Sequence, residues 1–443
     1  MSSVPVWQPE SVDEVMAAIA DGAGTTQAVR LTGSLLTALP DEVRQGLATT
    51  SWIFLVGGWS EPILASLPPS SRSLQVGREV EELTAWGLSS LVGLVPNGWE
   101  PGLASLFTAQ GIHQVAVGAD PPLARPVVTD YLGDVVTILP LRTDPPSLIL
   151  PTGEVERAQP PVDRAWAGVI DADPEADLLY RKMLRLATRL PERPPAEAVD
   201  QLLEAQASRW YQGDIDRTPA HAALIGARRR LDQERRVPPE WSKFTRLDWD
   251  ADGVIEAHLE NRELSMVVDP AEGLIKVVDL KLDSHPLSYL PGQSPWRIAR
   301  VLAGGEPHRL RLELEAVEAA RDHLGVRMTG PELVVTLDAA GDDIGFAYQL
   351  GPGFEFDRLG PEMTLALGGE VRMRVDGGEW ITLPTPAAHL GHRFRFEGGG
   401  RQVLISLAQP GDLFVSPVEG GIVVWANWPV RPGEYRLSAS LTG

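Results

Sequence analysis

Residues 91–101 read Leu91-Val-Gly-Leu-Val-Pro96-Asn-Gly-Trp99-Glu100-Pro101 and decide the fold predicted for the first part of the chain. A short apolar run that stops at Pro, Asn and Gly is typical of a buried strand followed by a turn. The pattern recurs before residue 144, where predicted strands alternate with predicted helices. The strands are Ala28–Leu31, Trp52–Val56, Ser89–Leu94, Gln114–Val117 and Val135–Leu139. This alternation favours a parallel sheet, and about five strands are too few for a complete eight-stranded barrel.

The rest of the chain shows three further patterns. Residues 144–163 are rich in proline and predict a linker, or a loop from which something has been removed. Residues 174–236 have apolar residues at helical spacing and predict three helices. From Phe244 onward apolar residues alternate with polar ones between glycine-rich turns, which predicts a large antiparallel sandwich. The expected domains are an α/β domain at 1–163, a short helical bundle at 164–243 and an all-β domain at 244–443.

Composition excludes several classes of function. The formal net charge of −21 argues against a nucleic-acid partner, because phosphate binding needs clustered Lys and Arg. The chain has no cysteine, so it has no disulfide, no thiolate zinc site and no cysteine nucleophile. No apolar stretch approaches the roughly 18 residues of a membrane span, and no signal peptide is recognisable. We therefore expect a cytoplasmic protein with no membrane partner, no cofactor and no metal.

Three blocks of sequence carry a resemblance to a known family. In chain order they are Leu31-Thr-Gly33 with Gly57-Gly-Trp-Ser-Glu-Pro-Ile-Leu64 and Trp99-Glu-Pro101, then Asp171–Arg185 with Leu203–Gly213, then Met266–Gly273 and the strands beyond it. They resemble glycoside hydrolase family 57, the 4-α-glucanotransferase and α-amylase-like group. The resemblance covers most of the chain in the same order. It implies a parallel (β/α)-barrel-like domain, here truncated, then a three-helix segment and a C-terminal mutarotase-like β-sandwich.

The chain departs from this family at the positions that carry its chemistry. The resemblance implies a nucleophilic glutamate three residues before Trp-Glu-Pro, and that position is Pro96. Trp7 stands where the family has a histidine, and Gly93 and Ser60 replace aromatic residues. The Asp-Asp-Gly-Glu motif of the second carboxylate is absent from the sequence. A retaining glycosidase needs two carboxyl groups about 5–5.5 Å apart, and proline can act neither as nucleophile nor as acid.

Six residues remain as candidate substrate contacts: Trp59, Glu61, Trp99, Glu100, Trp210 and Gln212. The two glutamates follow predicted strands, at the sheet edge where functional groups of parallel α/β folds concentrate. They could instead cap helices or accept backbone N–H bonds. Trp59 and Trp99 could stack on sugar rings or pack in the core. The segment that contains Trp210 and Gln212 could form hydrogen bonds at the domain junction or merely pack.

Two functions are compatible with this sequence. The first is a catalytically inactive relative of the glucan-acting enzymes, which binds an α-glucan or maltooligosaccharide or assembles as a scaffold with a protein partner or as a homodimer. The second is an active carbohydrate enzyme that uses a relocated acid pair near Glu61 and Glu100. The missing carboxylates favour the first.

Overall fold

The computed structural model describes residues 2–21, 27–96, 98–118, 123–160, 162, 165–238, 241–303, 306–308, 310–319, 323–330, 332–354, 356–383, 385–429 and 433–442. The chain divides into two compact units, Met1–Arg193 with Val199–Ile215, and Pro194–Ala198 with Asp216–Gly443. The division into three domains stays a prediction, and its boundary between residues 163 and 164 lies outside the described residues.

The first unit is built on one sheet that closes into a barrel. Its described strands are β1 (Ser2–Trp7), β2 (Ala28–Arg30), β3 (Ile53–Val56), β4 (Leu91–Val95), β5 (Gln114–Val117), β6 (Val127–Tyr131), β7 (Asp134–Thr143), β8 (Pro146–Leu150) and β9 (Glu156–Arg157). Strands β1 to β5 and then β7 run parallel to their neighbours. Strand β8 runs antiparallel between β7 and β1 and closes a ring of seven strands.

The closing strand corrects the sequence prediction. The prediction of about five strands is wrong because β1 and β8 also belong to the barrel. The linker predicted for residues 144–163 is wrong in its first half, since Pro146–Leu150 forms β8. Proline is tolerated at the first residue of a strand. The apolar residues that follow are buried, Leu148 completely and Ile149 almost so, which is why this short segment pairs on both sides.

The barrel strands alternate between two apolar layers. Val4, Leu55 and Leu139 belong to a cluster inside the barrel, whereas Val29 and Phe54 belong to one that packs against helices. This follows from the period of two along a strand. The helices before β6 are α1 (Val12–Ala20), α2 (Gly33–Ala38), α3 (Asp41–Leu47), α4 (Pro69–Ala85) and α5 (Gly102–Ala109). Helix α1 begins after the predicted cap, because the Ser11 hydroxyl accepts the Glu14 backbone N–H at 3.3 Å.

The described helices that follow the barrel strands are α6 (Ala165–Asp171), α7 (Pro174–Ala187), α8 (Ala196–Ala205) and α9 (Thr218–Glu234). Ser208–Tyr211 forms a short 3₁₀ turn. The apolar stripe predicted on α7 is buried at Leu179, Met183 and Leu186. No helix among the described residues is long and apolar enough to cross a membrane.

The second unit contains a large antiparallel sheet that is sandwich-like, as predicted. Its described strands are β10 (Ser242–Leu247), β11 (Glu256–Asn261), β12 (Leu264–Asp269), β13 (Leu274–Leu280), β14 (His285–Pro286), β15 (Trp296–Ala303), β16 (Glu306–His308), β17 (Glu313–Ala319), β18 (Leu324–Gly330), β19 (Leu333–Ala340), β20 (Asp343–Leu350), β21 (Arg358–Leu365), β22 (Arg372–Val375), β23 (Ile381–Thr382), β24 (Ala387–Gly398), β25 (Arg401–Val418), β26 (Gly421–Pro429) and β27 (Gly433–Thr442). Their inward residues form one apolar core.

Candidate functional site

A cavity of about 340 Å³ lies at the carboxyl ends of the barrel strands. Its polar lining residues are Gln8, Arg30, Glu61, Arg142, Thr143 and Ser208. The apolar lining includes Leu94, Pro96 and Leu141. Because parallel strands end at one edge of a sheet, residues that are far apart in sequence meet there. We call this the barrel cavity.

Glu61 is the one carboxylate among the described residues that line the barrel cavity. Its Oε1 accepts a hydrogen bond from Gln8 Nε2 at 2.9 Å and lies 3.8 Å from Arg30 Nε. The side chain is 39% exposed, so a ligand can reach it. The backbone of Glu61 has a φ of 57°, the left-handed region that disfavours residues with a Cβ.

Arg30 separates Glu61 from a second, buried carboxylate. The Arg30 guanidinium pairs with Glu79 and donates to the Gly58 carbonyl at 2.7 Å. Glu79 is fully buried and also accepts the Gly58 backbone N–H at 2.8 Å. Burial raises the pKa of Glu79, although the Arg30 cation and the Gly58 N–H act in the opposite direction. Glu79 does not line the barrel cavity and is engaged in holding the loop after β3.

A polar network holds that loop against the segment after α8. The buried Gln75 side chain accepts the Ser60 backbone N–H at 3.0 Å and donates to Gln206 Oε1 at 2.9 Å. The Ser60 hydroxyl donates to the Leu203 carbonyl, and the Ser208 N–H donates to the Glu61 carbonyl at 3.1 Å. These bonds fix the backbone on both sides of Glu61. They give a physical reason why a glutamate is held at a positive φ there.

Pro96 lies directly after β4 and contributes its ring to the lining of the barrel cavity. A proline side chain has no ionisable group and no lone pair. Gly93, at the implied aromatic position, faces Phe107, and a Cβ there would lie 2.8 Å from the Phe107 ring. A large side chain therefore has no room at Gly93.

Trp7 faces away from the barrel cavity. Its neighbours Val6 and Gln8 line the cavity, so the alternation of the strand turns Trp7 to the outer layer. There its ring makes an edge contact with Trp52, with the centroids 5.7 Å apart. The residue at the implied histidine position is thus part of the packing between strands and helices.

The remaining candidates near the strand ends are engaged elsewhere. Glu100 pairs with Arg72, whose guanidinium also donates to the Ala65 carbonyl at 2.9 Å. Trp99 is 1% exposed and belongs to the outer apolar layer, which favours the packing alternative. Trp59 is half-buried, and Arg78 lies over its ring at 4.3 Å from the centroid. The described lining of the barrel cavity includes none of Glu100, Trp99 and Trp59.

Trp210 and Gln212 also lie outside the described lining of the barrel cavity. The Trp210 indole donates to the Glu204 carbonyl at 3.0 Å, and Arg209 lies over its ring at 4.8 Å. Gln212 is exposed. Of the six candidate contacts, the structure brings Glu61 to the cavity.

Sequence reasoning missed most of the polar lining. Gln8 directly follows Trp7, the position where the resemblance implies a histidine, so a signal for it existed. Arg30 stands inside an otherwise apolar strand, which signals a buried charge that needs a partner. Arg142 and Thr143 end a strand that was predicted too short, and Ser208 follows a helix about 150 residues from the loop that it contacts.

Comparison with known proteins shows the fold. No family model and no curated protein sequence matches this chain. Among solved structures, the 4-α-glucanotransferase from Thermococcus litoralis is similar over 98% of this chain and 95% of its own, with a TM-score of 0.72 and 14% identity. A galactose mutarotase-like protein from Lactobacillus casei ATCC 334 matches 42% of this chain and 99% of its own, at 7% identity and a TM-score of 0.32. An α-mannosidase from Enterococcus faecalis V583 matches 98% of this chain and 84% of its own, at 8% identity and a TM-score of 0.32. The first likeness shows a glucanotransferase-like fold, and the two low scores carry no weight.

Proposed function

We propose that this chain is a catalytically inactive relative of the α-glucan-acting enzymes that binds an α-glucan or maltooligosaccharide in the barrel cavity. The observation that carries the proposal is the charge of the described lining, in which Glu61 is the one carboxylate and Pro96 stands at the implied nucleophile position. Glycoside cleavage by an acid pair needs a second carboxyl group about 5–9.5 Å from the first. The neutral and cationic groups that remain support binding.

The lining of the barrel cavity suits a sugar. Gln8, Thr143 and Ser208 offer neutral donors and acceptors for hydroxyl groups, and the exposed Arg142 has no ion-pair partner among the described residues. The rings and side chains of Pro96, Leu94 and Leu141 offer an apolar surface for the C–H faces of a pyranose. The volume of about 340 Å³ is at the lower end for ligand sites, which limits the contact to a short part of a glucan.

The alternative is an active enzyme with a relocated acid pair at Glu61 and Glu100. It is less well supported because Glu100 pairs with Arg72 and does not contribute to the described lining. Glu79 is a poor substitute, because Arg30 stands between it and the cavity and it is fully buried. If this alternative held, Glu61→Gln and Glu100→Gln would each abolish turnover.

Calorimetric titration with maltotriose tests the binding proposal. We expect Arg142→Ala to weaken binding about tenfold or more, because a charge-assisted hydrogen bond to a hydroxyl is lost. The matched control is Arg157→Ala, which removes an exposed arginine of the same unit that does not line the cavity. Equal affinities of the two variants would contradict a site at the barrel cavity. Absence of any binding would replace the glucan-binding role with that of a scaffold for a protein partner or a homodimer.

A further inference from the structure

A cavity of about 730 Å³ lies on one face of the sheet in the second unit, and we call it the groove. The strand register places five of its lining residues in a row across five neighbouring strands: Asp338, Gly345, Ser438, Ser406 and Arg393. Their sequence neighbours point into the core, so this row lies on the opposite face. At about 4.8 Å per strand, the row spans roughly 19 Å.

Small residues line the floor of the groove on two strands, Gly345 and Ala347 on β20 and Ser406 and Ala408 on β25. Between these strands, β27 contributes Glu434 and Arg436, which pair with each other at 2.6 Å. The small side chains of β20 and β25 leave room for a ligand to lie against these two strands. At one end, Asp338 lies 3.3 Å from His323 Nε2, and burial raises the pKa of Asp338. This end therefore offers acceptors and donors for hydroxyl groups.

The other end of the groove continues into a cavity of about 430 Å³, which shares His392 and Arg393 with the first. Arg374 and Arg395 also line it and stand directly opposite each other on β22 and β24. Like charges at directly opposed positions destabilise a sheet. The arrangement is thus electrostatically unfavourable unless something neutralises it.

The protein supplies little to neutralise these arginines. Arg374, Arg393 and Arg395 take part in no ion pair among the described residues, although the chain carries 60 acidic residues against 39 basic ones. Asp376 lines the same cavity, but its carboxylate accepts the backbone N–H groups of His392 and Arg393 at 3.2 and 2.8 Å. In the described lining of this second cavity, three arginines therefore face one engaged carboxylate. An anion of complementary charge would neutralise them.

We propose that this groove binds a sugar that carries an oxyanion, either a phosphate or a carboxylate. Guanidinium groups bind both oxyanions through paired, charge-assisted hydrogen bonds, which places the anion at Arg374, Arg393 and Arg395. The sugar body lies along the floor, where Thr336, Ser406 and Ser438 offer hydroxyl groups. The proposal rests on residues of the second unit alone and does not depend on the function proposed for the barrel cavity.

Calorimetric titration of the full chain with glucose 1-phosphate, glucuronate, glucose and inorganic phosphate tests this site. We expect at least one of the two charged sugars to bind about tenfold or more tightly than glucose and than phosphate alone, with affinity falling as salt rises. The tighter of the two identifies the oxyanion. Arg393→Ala and Arg395→Ala should each weaken that binding about tenfold or more. Arg327→Ala is the matched control, since Arg327 is an exposed arginine of the same unit that pairs with Glu315.

Several results would overturn the proposal. If glucose bound as tightly as the charged sugars, the arginines would have no role in binding. If inorganic phosphate bound as tightly as the charged sugars, the sugar body would have no role. Self-association that Arg393→Ala abolishes would make a second copy the occupant. Arg142→Ala distinguishes the two sites, because it should leave the affinity for the charged sugar unchanged. A folded Arg393→Ala protein with unchanged melting temperature and unchanged affinity would also contradict the site.

Discussion

At the scale of single residues, Glu61 combines a ligand-accessible carboxylate with an unfavourable backbone. A residue with a Cβ at φ 57° costs roughly 1 kcal/mol, and such strain persists where surrounding contacts impose it. The contacts are the Gln75 and Ser208 hydrogen bonds that fix the loop on both sides. The strain at Glu61 is therefore imposed by the contacts that hold the loop backbone.

A pair of substitutions at Glu61 measures this strain. Glu61→Ala and Glu61→Gly both remove the carboxylate and its bond to Gln8, but glycine adopts a positive φ without penalty. We expect the glycine variant to be more stable than the alanine variant by about 1 kcal/mol in urea unfolding. At an ordinary helical or extended position the order is reversed, so an alanine variant of equal or higher stability would show that the loop is not strained.

The buried Arg30–Glu79 pair makes a second residue-scale prediction. Arg30→Met leaves the Glu79 carboxyl buried without its cation, which should lower the free energy of unfolding by about 3–5 kcal/mol. The double variant Arg30→Met with Glu79→Met should recover most of that loss. As a control, Arg125→Met removes an exposed partner of Glu156 and should cost less than about 1 kcal/mol. Similar losses for the two single variants would contradict the account of the buried pair.

At the scale of elements, the β7–β8 hairpin completes the barrel. Strand β8 pairs with β7 on one side and β1 on the other, and Leu148 fills the barrel interior. We expect Leu148→Ala to lower the free energy of unfolding by about 2–5 kcal/mol, because it opens a cavity in a closed core. Val135→Ala is the control on β7, since Val135 is exposed and its truncation should have little effect. If Leu148→Ala and Val135→Ala shifted the chemical unfolding curve equally, β8 would not be part of the closed core of the barrel.

The ion cluster between α9 and β11 predicts that the free energy of unfolding depends on pH. Burial opposes ionisation of Glu260, but the Lys281 and Arg228 cations outweigh it and hold its pKa at about 2, below the ordinary 4.5. A lowered pKa stabilises the fold above the unfolded value, and that stabilisation is lost as pH falls from about 4.5 to about 2.

The corresponding experiment is thermal unfolding between pH 7 and pH 2. Glu260→Gln should be less stable than the parent at pH 7, by about 3 kcal/mol, and the difference should shrink as pH falls through this window. Glu315→Gln changes an exposed glutamate and should follow the parent at every pH. A Glu260→Gln deficit that is the same at pH 7 and pH 2 would exclude the ion cluster as its cause.

Local patterns predicted much of the element order and little of the site. The alternation of strands and helices, the cap at Ser11 and the stripe on α7 are visible within short windows of sequence. Strand β8 was missed because Pro145 and Pro146 suggested a loop. The pairs that build the site join residues far apart, as Gln75 and Gln206 do at a separation of 131 residues, and no local pattern encodes them. The outward direction of Trp7, by contrast, follows from the period of two along β1.

At the scale of the whole molecule, the chain keeps a glucanotransferase-like fold over nearly its full length at 14% identity. Fold alone does not determine activity, which depends on the groups at the site. Among the described residues, the barrel cavity of the first unit has one accessible carboxylate, and a groove in the second unit gathers three arginines that form no ion pair. We propose that both are binding sites and that neither cleaves glycosidic bonds.

The most direct test of the central claim is the chain-length distribution of maltoheptaose after incubation with the protein at a concentration where calorimetry shows it bound. We expect maltoheptaose to bind and to be recovered unchanged, because the described lining of the barrel cavity contains one carboxylate and therefore no acid pair. Shorter and longer oligosaccharides formed at about 1 s⁻¹ or faster, the range of ordinary enzymes, would contradict a catalytically inactive protein.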